Sequence, residues 1–140
     1  MAILQRFDEQ KGNVFVVWKG VVTAEEWFSK AERLASHPRW PGTPRVLVDL
    51  LPVTDTSSIQ EQEIEHAAGI FARNWKSLQG KKVAVLAKDE FGRARYFADL
   101  LVRFGFSMVV FNNLDTACLF LGMDVVYAYR ELDEMRKQMA

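Results

Sequence analysis

Apolar residues are concentrated in five short runs that have the character of β-strands. The first run alternates apolar with polar residues, whereas the other four are nearly continuous. The predicted strands cover residues 3–7, 14–18, 46–50, 83–87 and 108–111. Continuous runs are typical of strands buried on both faces, as in a parallel sheet covered by helices. The turn signal Lys11-Gly12-Asn13 predicts that the first two strands form an antiparallel hairpin.

Helical periodicity is found in the segment between the second and third strands and in the segment between the third and fourth strands. The first helix is predicted to open with the capping box Thr23-x-x-Glu26. The second is predicted to begin at Ser57 or Ser58, where Ser58-x-x-Glu61 forms another capping box, and to continue to about residue 78. Their apolar stripes consist of Ala24, Trp27, Phe28, Ala31, Leu34 and Ala35 in the first helix, and of Ile64, Ala67, Ala68, Phe71, Trp75 and Leu78 in the second.

Three further helices follow. The third covers about 91–104, a short fourth covers 114–121, and a last helix begins near Asp124. The apolar stripe of the last helix consists of Val125, Tyr129, Leu132, Met135 and Met139. This order of elements predicts an α/β layer sandwich: a mostly parallel sheet of four or five strands with an N-terminal antiparallel hairpin, flanking helices and an extra C-terminal helix.

Composition narrows the class of protein. A chain of 140 residues with 49% hydrophobic residues can bury a core as one domain without a disulfide or a metal, and its single Cys118 cannot form an internal disulfide. Eighteen basic residues balance eighteen acidic ones, which argues against a nucleic-acid binder. Because neither a signal-peptide pattern nor a membrane-spanning apolar run is found, we expect a cytoplasmic protein.

Four segments together resemble one known family. They are the stretches 46–58 and 82–87, the pattern Phe91-Gly92-x-Ala94-Arg95-x-Phe97, and the stretch 111–122. In this order they resemble the SpoIIAA-like branch of the STAS domains, a group of bacterial regulatory modules. The resemblance implies one STAS-like domain over residues 1–140, with a family core over 1–122 and an appended helix over 123–140. It also implies a domain that binds protein partners or small ligands without chemistry of its own, related in fold to the CRAL-TRIO lipid-binding domains.

The segment Asp55-Thr56-Ser57-Ser58-Ile59 corresponds to the phosphorylation switch of the anti-sigma-factor antagonists in that family. Asp55 and a hydroxyl at Ser57 or Ser58 match the family motif, but Ile59 stands where the motif has glycine. A serine at this place also has a structural reason, because its hydroxyl caps a helix. The segment therefore has two interpretations, a phospho-switch and a helix cap.

Arginines at the start of the third helix form a second candidate site. Arg93 and Arg95, with the free backbone N–H groups at Phe91 and Gly92, could hold an anionic group. The alternative is that these arginines pair with the neighbouring carboxylates of Asp89, Glu90 and Asp99.

Three aromatic residues are candidates for contact with an apolar ligand or partner. Trp40 lies between Pro38 and Pro41 in a loop and is predicted to be exposed, and Phe28 and Phe97 lie beside a predicted groove. The apolar stripe of the last helix must also be covered, either by its own domain or by a second copy of the chain. The second alternative predicts a homodimer.

No catalytic or metal-binding set emerges from the sequence. His37 and His66 have no second ligand at metal spacing, and Cys118 lies in an apolar helix where packing explains it. We therefore expect a non-enzymatic domain without a cofactor that binds a protein partner or a small ligand. The alternative is a carrier or sensor of an apolar, lipid-like molecule held between the sheet and the first and third helices, with at most a peripheral membrane association.

Overall fold

A computed structural model of the protein describes residues 2–105 and 107–139. Its strands are β1 (Ile3–Asp8), β2 (Asn13–Trp18), β3 (Gly20–Val21), β4 (Arg45–Asp49), β5 (Val53–Asp55), β6 (Lys82–Leu86) and β7 (Ser107–Phe111). Its helices are α1 (Ala24–Ala35), α2 (Glu61–Ala72), α3 (Trp75–Leu78), α4 (Phe91–Leu101), α5 (Leu114–Leu121) and α6 (Val125–Gln138). None of the helices described is both long and apolar enough to cross a membrane.

The five predicted strands form one sheet in the order β1-β2-β4-β6-β7, which confirms the predicted α/β class. β1 and β2 are antiparallel and the other neighbours are parallel. Gly12, at a φ of 70° that favours glycine, makes the predicted turn between β1 and β2. The sequence did not reveal a second, two-stranded sheet, in which β3 pairs in parallel with β5.

Alternation along the strands divides the core into two clusters, one on each face of the sheet. On β2, Val14, Val16 and Trp18 belong to the cluster covered by α1, α2 and α4. Phe15 and Val17 belong to the cluster covered by α5 and α6. Both faces of the central strands are therefore buried, which explains why their sequences are continuously apolar.

The last helix packs against the sheet of its own chain. Tyr127, Ala128, Leu132 and Met135 are its buried residues, and they contact the cluster that contains Phe15. The prediction for Tyr129 was wrong: this residue is 61% exposed, and Tyr127 takes the buried position. Because its own domain covers the stripe, this helix does not support the prediction of a homodimer.

Polar contacts also fix α6. The fully buried carboxylate of Asp49, at the end of β4, accepts a hydrogen bond from Arg136 Nε at 2.8 Å and one from the Leu51 N–H at 3.1 Å. Burial raises the pKa of Asp49 even though Arg136 opposes the shift. Lys19 Nζ donates to the carbonyl oxygens of Arg136 and Met139 at the end of this helix. The Arg136 carbonyl also accepts from the Met139 N–H at 3.2 Å.

The predicted start of the second helix was wrong. α2 begins at Glu61, and its capping box is formed by Gln60 and Glu63. The residues before it form β5 and then a turn, because Ile59 is buried and its N–H donates to the Thr56 carbonyl at 2.9 Å. The helix also stops at Ala72, and residues 75–78 form the separate α3.

Candidate functional site

An apolar cavity lies between the sheet and the three helices α1, α2 and α4. Its volume is about 130 Å³. The sheet contributes side chains from β1, β2, β4, β6 and β7, and each helix contributes residues from its inner face. The apolar residues of its wall are Ile3, Val16, Trp18, Trp27, Ala31, Leu34, Trp40, Val46, Val48, Leu50, Ile59, Ile64, Phe71, Leu78, Val83, Val85, Ala94, Phe97, Leu101 and Met108.

Aromatic rings build one wall of this cavity. Trp27 packs edge-on against Trp18 and against Phe97, with ring centroids 5.3 Å apart in both pairs. Phe97 in turn meets Phe71 edge-on at 6.0 Å. These large rings, which lie on β2, α1, α2 and α4, keep the helices away from the sheet. The small side chains of Ala31 and Ala94 leave the space between them unfilled.

A cluster of three polar residues lies at one end of the cavity, and we call it the mouth: Thr56, Glu90 and Arg93. Thr56 Oγ1 donates to Glu90 Oε2 at 2.8 Å and accepts from Arg93 Nη1 at 2.5 Å. Arg93 Nη1 also donates to the Thr56 carbonyl at 2.7 Å and lies 3.7 Å from Glu90 Oε2. These bonds join the loop after β5 to the start of α4.

The mouth lies at the edge of the sheet where the parallel strands end. Thr56 follows β5, and Glu90 follows the end of β6 by four residues. This edge is where α/β sheets commonly bind ligands. Since the Arg93 side chain is 42% exposed, the mouth is also in contact with solvent.

The two arginines of the predicted anion site have different surroundings in the structure. Arg93 makes the ion pair with Glu90 that the sequence offered as the alternative. Arg95 is exposed and has no ion pair among the residues described. Phe91 and Gly92 form the first turn of α4, beside Glu90. The two arginines therefore do not form one anion site.

The two serines lie outside the cavity, in the loop between β5 and α2. Both are exposed, and Ser58 Oγ accepts from the Ala24 N–H at 3.2 Å. Ser58 thus helps to cap α1, whereas the prediction assigned it to the second helix. Asp55 accepts from the Ser57 N–H at 2.8 Å, and this bond lowers the pKa of Asp55.

The prediction of an exposed Trp40 was wrong, since this residue is 2% exposed. It begins a 3₁₀ turn (Trp40–Gly42) and lines the cavity at the end where the parallel strands begin. The buried ammonium group of Lys81 lies 4.1 Å from the centre of its ring and covers one face. Burial lowers the pKa of Lys81 to about 8.

Of the other aromatic candidates, Phe97 lines the cavity and Phe28 lies beside it. Phe28 is half-buried and packs against His66, with ring centroids 4.4 Å apart. His37 stacks on Phe7 at 4.2 Å. Both histidines thus have packing partners.

Cys118 is buried, and this burial raises the pKa of its thiol.

Sequence reasoning missed Thr56, Glu90 and Lys81. The hydroxyl of Thr56 lay within the family-like motif, and Glu90 was named only as a partner for an arginine. No local pattern marks Lys81, because the carbonyl oxygens that receive it belong to Trp40 and Thr43. These residues meet only through contacts between segments that are distant in the chain.

The solved structures that are similar to this chain include two that differ greatly in length. One, described as "Structure of the Anti-Sigma Factor Antagonist SpoIIAA in its Unphosphorylated Form", matches 77% of this chain and 87% of its own, with 10% identity and a TM-score of 0.44. The other, described as "Crystal Structure Analysis of Mglu", matches 63% of this chain at 16% identity and a TM-score of 0.44, and the chain spans only 20% of its length.

The first of these structures comes from the family that the sequence motifs resemble. No family model matches the chain, and no curated protein matches it either. Similarity at this level concerns the fold and says nothing about the function.

Proposed function

We propose that this protein is a non-catalytic binding domain that holds an apolar small molecule between the sheet and helices α1, α2 and α4. The observation that supports this proposal is the cavity, whose wall is apolar apart from a few polar residues such as those of the mouth. Ligand sites in proteins typically combine an apolar wall with a few polar groups that orient the ligand.

The volume of the cavity is suited to a small apolar molecule. An engineered cavity of about 150 Å³ lined by aliphatic and aromatic side chains stays dry and binds benzene. The present cavity has a similar volume and a similar lining. An apolar ligand would gain contacts with walls that otherwise face empty space.

Ala94 offers a direct test, because it lines the cavity from α4. Ala94→Leu would place three further carbon atoms in the space available to a ligand. The matched control is Ala72→Leu, since Ala72 is also half-buried on a helix but does not line this cavity. The probe is α-methylstyrene, a hydrocarbon of one ring and a short branch, titrated into ¹⁵N-labelled protein.

The expected result is a set of saturable amide shifts around the cavity in the wild type and in Ala72→Leu, with at least about tenfold weaker binding in Ala94→Leu. Native mass spectrometry of gently purified protein should also show an added mass from a co-purified apolar molecule. Absence of saturable shifts in the wild type, or equal binding by Ala94→Leu, would contradict the proposal.

A second candidate function is the binding of a protein partner at the loop that contains Ser57. This serine is exposed, and apolar side chains are also exposed on the adjoining strands and turn, with Val21 at 61% and Leu51 at 38%. Exposed apolar groups beside a modifiable hydroxyl are suited to a phosphorylation-controlled contact. Ser57 is the better candidate, because a phosphate on Ser58 would disturb the cap of Ala24.

Phosphate-affinity electrophoresis after incubation with cell extract and ATP tests this second function. A shifted band is expected for the wild type and for Ser58→Ala but not for Ser57→Ala. An unshifted wild type, or a shift that survives in Ser57→Ala, would count against a switch at this residue.

A further inference from the structure

The indole N–H of Trp40 is a buried hydrogen-bond donor without a partner. Trp40 is 2% exposed and lines the cavity. Among the residues that the structure describes, its Nε1 is the one buried side-chain polar atom that makes no hydrogen bond. Buried polar groups are nearly always paired, so an unpaired donor at a cavity wall points to an acceptor that binds there.

The polar groups around Trp40 are otherwise paired with one another. Lys81 Nζ donates to the Trp40 carbonyl and, at 2.8 Å, to the Thr43 carbonyl. Thr43 Oγ1 donates to the Trp40 carbonyl at 2.8 Å. These contacts hold Trp40 in one position and provide no acceptor for its indole N–H.

Trp40 and the mouth lie at opposite ends of the cavity. Trp40 precedes the start of β4, and Lys81 precedes the start of β6, whereas Thr56 and Arg93 lie where the strands end. Four residue steps along β4 correspond to about 13 Å, at about 3.3 Å a step. One polar group of a ligand therefore cannot contact both Trp40 and the mouth.

We infer that the ligand carries a neutral oxygen acceptor, such as a ketone or ester carbonyl, which receives the indole N–H of Trp40. This inference rests on the proposed apolar-ligand function and narrows the class of ligand. The acceptor is neutral because most of the wall is apolar, and a carboxylate that binds among these side chains would lose its hydration. Lys81, a buried cation beside Trp40, lies over the face of the indole ring, whereas the indole N–H points outward in the plane of the ring.

Two probe molecules of nearly the same shape distinguish the contribution of the hydrogen-bond acceptor from that of the apolar contacts. Acetophenone has a C=O group where α-methylstyrene has C=CH₂. Both are titrated into the ¹⁵N-labelled full chain, and the indole cross-peaks of its four tryptophans are followed. Trp40→Phe assigns the Trp40 peak and removes the donor. Trp75→Phe is the matched control, because Trp75 is 40% exposed and does not line the cavity.

Acetophenone is expected to bind about three- to tenfold more tightly than α-methylstyrene, the range of one net hydrogen bond. Only acetophenone should move the Trp40 indole proton downfield. The preference should vanish in Trp40→Phe and persist in Trp75→Phe. Equal affinity with an unmoved indole peak would overturn the inference and leave the proposed function standing, whereas failure of both molecules to bind would overturn both.

Discussion

Replacement of Arg136 by methionine should destabilise the protein strongly and in a pH-dependent way. Arg136 joins α6 to Asp49, whose carboxylate is fully buried at the end of β4. Methionine keeps most of the apolar length of the side chain but removes the charge. Asp49 would then retain one hydrogen bond, from the Leu51 N–H, and no cation.

Removing one partner of a buried ion pair costs about 3–5 kcal/mol. Because the Arg136 side chain is 35% exposed and water reaches it, we expect the lower end, about 3 kcal/mol at pH 7.5. The folded-state pKa of Asp49 already lies above its ordinary value of 3.8, so this group contributes most to stability at low pH and loses that contribution as pH rises through the raised pKa. Without Arg136 the pKa rises further, and the loss grows from acid to neutral pH.

Urea unfolding, followed by tryptophan fluorescence at pH 4.5 and 7.5, measures this effect. Arg136→Met should lose clearly less stability at pH 4.5, where Asp49 is protonated in the variant. The matched control Lys137→Met removes the exposed pair with Asp133 on the same helix and should cost no more than about 0.5 kcal/mol at either pH. An equal loss for Arg136→Met at both pH values, or a loss as small as that of the control, would refute this reasoning.

Three further substitutions test other parts of the fold. With its pKa lowered to about 8, Lys81 binds fewer protons in the folded chain than in the unfolded chain between pH 7.5 and 10, so it makes the unfolding free energy rise over that range. Lys81→Met should remove about 2 kcal/mol of this rise. A rise as large as that of the wild type, measured by urea unfolding at the two pH values, would contradict this prediction. Tyr127→Phe removes the hydroxyl that donates to Asp8 and accepts from Asn13, and it should lower the unfolding free energy by about 1–2 kcal/mol in the same assay. An unchanged unfolding free energy would contradict this prediction. Gly122→Ala should cost about 1 kcal/mol, because Gly122 ends α5 at a φ of 68°, and a melting temperature equal to the wild type would show that the site tolerates a side chain.

Elements with local determinants could be predicted from the sequence. Asn113 accepts from the Thr116 N–H and Gly122 adopts the left-handed conformation, so α5 begins and ends where short-range chemistry indicates. The central strands β2, β4 and β6 likewise follow from their nearly continuous apolar runs, because helices cover both faces of the sheet at these strands.

The predictions from the sequence were wrong where contacts between distant segments determine which residue is buried. Tyr129 and Tyr127 both fit a helical stripe, and the contact of Tyr127 with Phe15 and Asp8 selects the latter. Trp40 looked like an exposed loop residue, but Lys81, forty-one residues later in the chain, covers it. The cavity itself has no local signature, since it depends on how rings from α1, α2 and α4 meet the sheet.

The alternation of side chains along β2 has a practical consequence for engineering. Val16 and Trp18 face the cavity, while Phe15 and Val17 face the cluster under α5 and α6. A combinatorial library restricted to the even-numbered positions of β2 would alter the wall of the cavity and leave the opposite face of the sheet unmodified. The same strand thus shapes the cavity and supports the opposite core through two interleaved sets of positions, which can be redesigned one at a time.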